Sequence, residues 1–116
     1  MNIPEVENKL TEFKREDVSA RDFAEEIVAF ANAEGGEIWL GVEDDRKISG
    51  LSRGYEEEVI NIGRTGVIPP INLSYQEYTV EKQRVARITV PKGIDRPYYT
   101  SRNRYYIRVG STKRIA

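Results

Sequence analysis

The chain has 116 residues, of which 39% are hydrophobic and 9 are Gly, a share that supports one core without disulfides or a structural metal. It contains no Cys and no His, which excludes zinc fingers, thiol nucleophiles and Ser-His-Asp or Cys-His pairs. The net charge of −1 hides an uneven split: residues 1–60 carry 7 Lys/Arg against 16 Asp/Glu, and residues 61–116 carry 11 against 3.

The N-terminal Met-Asn-Ile-Pro-Glu-Val-Glu is not a basic segment followed by an apolar one, so no secretory leader is read there. The first clear element spans Ser19 to Glu34. Phe23, Ile27, Phe30 and Ala31 fall on one helical face, with Asp22, Glu25 and Glu26 on the other. Ser19 and Asp22 form a capping-box-like start, and Gly35-Gly36 ends the helix. Glu37 to Val42 is short, β-prone and bounded by glycines and acids, which predicts a central strand containing Trp39 as a core or interface aromatic. A short strand at Ile48 follows the acidic turn. Tyr55 to Thr65 reads as a second helix with Val59 and Ile62 inward, ended by Gly66 and Pro69-Pro70.

Beyond that point the pattern alternates. Ile71 to Glu81 and Arg84 to Val90 read as a hairpin turning at Glu81-Lys82-Gln83. Arg96 to Thr100 and Arg104 to Val109 read as a second hairpin around Ser101-Arg102-Asn103. Helices early and strands late predict an α+β fold: one compact domain over residues 1–116, with a mixed or antiparallel sheet and two or three helices. The longest apolar stretches, Ile27 to Ala31 and Ile38 to Val42, are five residues each. A bilayer needs ~20, so no membrane partner is expected and a cytoplasmic location is.

Four pieces in order resemble the Schlafen AlbA-like domain family: Glu12-Phe13-Lys14; Ala29-Phe30-Ala31-Asn32 with Gly35-Gly36; Leu40-Gly41-Val42-Glu43-Asp44; and Tyr106 to Thr112 with Arg114 and Ala116. The resemblance implies a candidate DNA-binding domain of a prokaryotic transcriptional regulator, here the N-terminal part of a longer protein or a short stand-alone member. It also implies a relation to animal Schlafens, in which two similar lobes bind RNA and some members cleave tRNA. By that analogy a single lobe completes its groove as a homodimer.

Arg96 to Ala116 contains six cations and no acid, with four tyrosines among them. Guanidinium groups bind phosphate bidentately and tyrosines stack on bases, so DNA or RNA is the partner this segment predicts. The candidate contact residues are Arg102, Arg104, Tyr106, Arg108, Lys113 and Arg114, with Arg104, Tyr106 and Arg108 expected on one exposed strand face. The same cations could instead neutralise the acidic first half, or face a subunit interface against Glu56 to Glu58. No helix-turn-helix pattern is present, so backbone contact rather than sequence readout is expected.

The resemblance also implies an alternative. Glu7, Glu12 and Asp44 match the carboxylate trio of catalytically competent Schlafens, where they would hold Mg²⁺ or Mn²⁺ for a divalent-metal-dependent endoribonuclease, with Lys14 supporting the phosphate. Glu43 or Asp45 could stand in for Asp44 if the turn is offset by one. Binding itself needs no cofactor. A third reading is a dimerisation or protein-interaction module.

Overall fold

The computed structural model describes residues 3–116; Met1 and Asn2, part of the N-terminal stretch examined for a leader, lie outside the described residues. β1 (Thr11–Lys14), α1 (Ala20–Ala31) and β2 (Gly36–Leu40) form a crossover unit whose two strands pair in parallel, Glu12 beside Ile38 and Phe13 beside Trp39. The four residues of β1 carry too little alternation to mark a strand in the sequence. α2 (Glu56–Asn61) continues into a π-helical turn (Ile62–Gly66), together covering the expected second helix. Val59 is buried and Ile62 half-buried against the core.

β3 (Val67–Ile68) is short. β4 (Ser74–Val80) and β5 (Gln83–Val90) form the expected hairpin around Glu81 and Lys82, both at positive φ. The main sheet runs β1-β2-β5-β4, parallel at its first pair and antiparallel elsewhere, so β2 is central as expected. Ile48 forms only an isolated bridge to Val42.

The second predicted hairpin is a correction. β6 (Tyr99–Thr100) pairs with β3, and β7 (Tyr106–Val109) pairs with β8 (Thr112–Ile115). The Thr100 and Arg104 backbones do meet across a turn, with Asn103 at positive φ, but the chain then departs instead of continuing as a ladder.

The sheet separates two apolar clusters. α1 lays Phe23, Ile27, Phe30 and Ala31 on one face, against Ile38, Leu40, Ala86 and Ile88. On the other face Phe13, Trp39 and Val85 are covered by Ile3, Val42 and Ile48. Burying a side chain of this size contributes roughly 1.5–3 kcal/mol, so these two layers supply most of the driving force for folding.

Ser19 caps α1, its Oγ accepting from the Asp22 N–H at 3.0 Å. Past the helix Gly35 adopts φ +77°, and a Cβ there would lie 2.7 Å from Lys92 N and Val90 O. Only glycine allows this approach of α1's end to the end of β5. Among the described residues no helix is long and apolar enough to cross a membrane.

Candidate functional site

Strand alternation sends Thr11 and Phe13 to one face of the sheet, and Glu12 and Lys14 to the face that carries α1. α1 presents Asp22, Glu25 and Glu26 there, spaced by three and four residues and hence on one side of the helix. The β7–β8 hairpin lies over the same place and contributes Arg108 and Lys113, which are cross-strand partners. Three elements distant in sequence thus bring four acids and three cations together.

Arg108 is at the centre, with its side chain 1% exposed. Its Nη1 donates to Glu12 Oε1 at 2.6 Å and to Glu26 Oε1 at 3.4 Å, while Nη2 donates to the Asn8 and Thr11 carbonyls at 2.8 and 2.9 Å. Its guanidinium carbon stands 4.5 Å from the centre of the Phe30 ring. Lys14 lies 2.9 Å from Asp22 and 3.0 Å from Glu26. Lys113 reaches Asp22, Glu25 and Glu26.

Burial pushes the Glu12 carboxyl up to about 7, helped by a hydrogen bond with Glu7 and opposed by Arg108. Burial works against the charge of Lys14, but its hydrogen bond to Asp22 and the field of Glu26 outweigh that and hold it above the usual lysine range. Asp22 is held below its usual range because Lys113 and Lys14 outweigh its own burial.

This geometry reverses the expected faces of β7. Tyr106 and Arg108 point inward, and Ile107 and Val109 point out. Tyr106 donates from its hydroxyl to Glu25 at 2.9 Å, and Lys113 is spent on the α1 acids. Tyr106, Arg108 and Lys113 are therefore built into the fold rather than displayed. Burying Arg108 against Glu12 and Glu26 gives both acids a hydrogen-bond donor under the hairpin, which a hydrophobic residue could not do. Within the chain Glu58 pairs with Arg53 at 2.6 Å.

Arg102, Arg104 and Arg114 are exposed, and none lies within ion-pair distance of an acid among the described residues. Arg102 and Arg104 occupy the turn after β6, and Arg114 stands opposite Ile107 on the outer face of β8. The rings of Tyr99 in β6 and Tyr105, next to Arg104 in the chain, meet with centroids 5.0 Å apart.

The carboxylate trio does not converge. Glu7 accepts from the Phe13 N–H at 2.9 Å and lies by Glu12, but Asp44 is exposed on the turn after β2. Asp45 accepts from the Lys47 N–H in that turn. Among the described residues no three Asp or Glu side chains are placed to hold a metal ion. Glu12 is already bound by Arg108, and Lys14 is held by Asp22 and Glu26, so these residues do not fit Mg²⁺ or Mn²⁺.

Two residues of this region escaped the sequence reading. Glu26, placed on the solvent face of α1, is 3% exposed. Its position three after Phe23 and four before Phe30 lies within the apolar stripe, a signal that was available. Asn32 donates to the Tyr98 and Tyr106 carbonyls at 2.9 and 2.8 Å and accepts from the Tyr98 N–H at 2.7 Å, tying β6 and β7 to the end of α1.

The family comparison agrees with this architecture: the model of the Schlafen, AlbA_2 family matches residues 7–116, and the chain belongs to that family. Two solved structures share the fold. One is the DIP2311 protein of Corynebacterium diphtheriae (TM-score 0.76, 21% identity), in which the match covers 93% of this chain and 22% of that one. The other is the N-terminal domain of a protein from Nitrosomonas europaea named for its relation to the ATP-dependent DNA helicase RecG (TM-score 0.69, 21% identity, 91% of this chain and 78% of that one). This chain thus spans about a fifth of the DIP2311 protein. No curated protein matches.

Proposed function

We propose that this domain binds nucleic acid by contacting its backbone, as the DNA-binding part of a transcriptional regulator acting in the cytoplasm. The observation that carries the reading is the trio Arg102, Arg104 and Arg114, exposed and free of acidic partners among the described residues, in the same C-terminal segment as the Tyr99–Tyr105 pair. Guanidinium groups left unneutralised in this way bind phosphate bidentately, and the tyrosines offer a stacking surface. Membership of the Schlafen, AlbA_2 family and the fold shared with the RecG-related protein's N-terminal domain support the same class of partner. α1 is packed into the core and the six-residue α2 carries three acids in its first turn, which favours contacts that carry little sequence information.

The test is fluorescence anisotropy with labelled duplex DNA, single-stranded DNA and tRNA over a salt series. Binding should weaken steeply with salt, and the Arg102→Ala, Arg104→Ala, Arg114→Ala triple variant should lower the slope of log K against log salt by about 2–3, just under one for each lost phosphate contact. Unchanged affinity and slope in a folded triple variant would overturn the assignment.

A further inference from the structure

The main sheet has two edges, and the chain treats them differently. At β1 the Asn8 and Thr11 carbonyls are taken by Arg108, so a guanidinium covers that edge. At β4 there is no such cover. Its seven residues, Ser74–Val80, contain no Pro and no Lys, and their register with β5 runs without a bulge from Ser74 opposite Thr89 to Val80 opposite Gln83. These are the devices by which exposed edges are ordinarily blunted.

The two-residue turn makes Val80 and Gln83 a hydrogen-bonded pair, and alternation from there points the N–H and C=O of Tyr75, Glu77 and Thr79 away from β5. Among the described residues these groups meet no other backbone. Six hydrogen-bonding groups stand in a row at strand spacing, with the chemistry of an incoming extended strand.

We infer that β4 pairs with β4 of a second copy, antiparallel about a two-fold axis at Tyr78. Self-complementarity selects both occupant and register. Centring the pair on Glu77 would set that carboxylate against its own copy. Centring it on Gln76 leaves the tyrosines apart. Centring it on Tyr78 places Glu77 opposite Thr79 of the second copy, twice by symmetry, and brings the two Tyr78 rings together in a non-hydrogen-bonded pair, where side chains approach most closely. That ring already packs on Trp39 at 6.1 Å, so the contact extends the outer apolar cluster across the axis. A net charge of −1 leaves the copies without bulk repulsion. Two four-stranded sheets become one, and the pairing leaves Arg102, Arg104 and Arg114 uninvolved.

Sedimentation analysis over a wide concentration range tests this directly. A concentration-dependent dimer is expected. Thr79→Glu sets two like-charge pairs across the axis and should weaken association on the order of tenfold, whereas Thr79→Lys sets two Lys–Glu pairs and should strengthen it by a similar factor. Because the chain has no Cys, a single Tyr78→Cys variant reports the register: it should form a covalent dimer on mild oxidation, and Gln76→Cys should not. A chain that stays monomeric throughout overturns the proposal. So does a dimer for which Thr79→Glu and Thr79→Lys act alike, or one in which Gln76→Cys cross-links as readily as Tyr78→Cys.

Discussion

Arg104 and Arg108 leave the backbone four residues apart in the same basic segment and end in different media. Arg104 projects from a turn into solvent with no acid at hand. Arg108 is buried, bound to Glu12, Glu26 and two backbone carbonyls. The excess of arginine over lysine in this segment therefore serves two ends. Inside, the planar fork satisfies carboxylates and carbonyls at once; outside, the same fork is left without an acidic partner among the described residues. A basic composition measures neither role until the burial of each side chain is known.

The contrast can be broken from the inside first. Arg108→Ala takes the buried guanidinium away from Glu12, Glu26 and the Asn8 and Thr11 carbonyls, which should cost about 3–5 kcal/mol in chemical denaturation, whereas Arg104→Ala should cost almost nothing. Equal losses for the two would mean that the hairpin does not depend on the ion cluster. Next comes Asn32→Ala, which removes three hydrogen bonds joining α1 to β6 and β7. A loss of about 1–3 kcal/mol is expected, with faster amide exchange concentrated in β6 and β7.

The cluster's pH response is smaller. Glu12 holds its proton up to about 7 in the fold against 4.5 in a solvated chain, so the stability it adds is complete below about 4.5 and is lost as pH rises through 7. Asp22 shifts the other way: the stability it adds is complete above its ordinary value of 3.8 and is lost only as pH falls below that, outside this window. The unfolding free energy of the unmodified chain should therefore fall between these pH values relative to Glu12→Gln; parallel curves would show that Glu12 is ordinarily solvated. The smallest effect is expected outside. The triple variant of Arg102, Arg104 and Arg114 should change stability by less than about 0.5 kcal/mol while altering nucleic-acid binding, which separates the two roles in one molecule.

Much of the frame was legible in the residues. The apolar stripe of α1, the glycines that end it, the β2 strand and the β4–β5 hairpin all follow from interactions among near neighbours in the chain, and those carry their own periodicity. The family was legible from four short motifs in order. The ion cluster was not, apart from the position of Glu26 in the helical stripe. Its members come from β1, α1 and the β7–β8 hairpin, and Arg108 meets Glu12 across 96 residues.

Composition and local pattern thus determined an α+β domain with a dipolar chain and a basic, tyrosine-bearing C-terminal segment. Tertiary structure alone decided which side of β7 faces the core. An alternating strand defines two faces without saying which is buried. Ile107 and Val109 would have been the ordinary inward choice, but the space over α1 is lined by carboxylates, and only the face carrying Arg108 and Tyr106 satisfies them. The same choice tied Arg108 and Lys113 to the acids of β1 and α1 and left Arg102, Arg104 and Arg114 exposed.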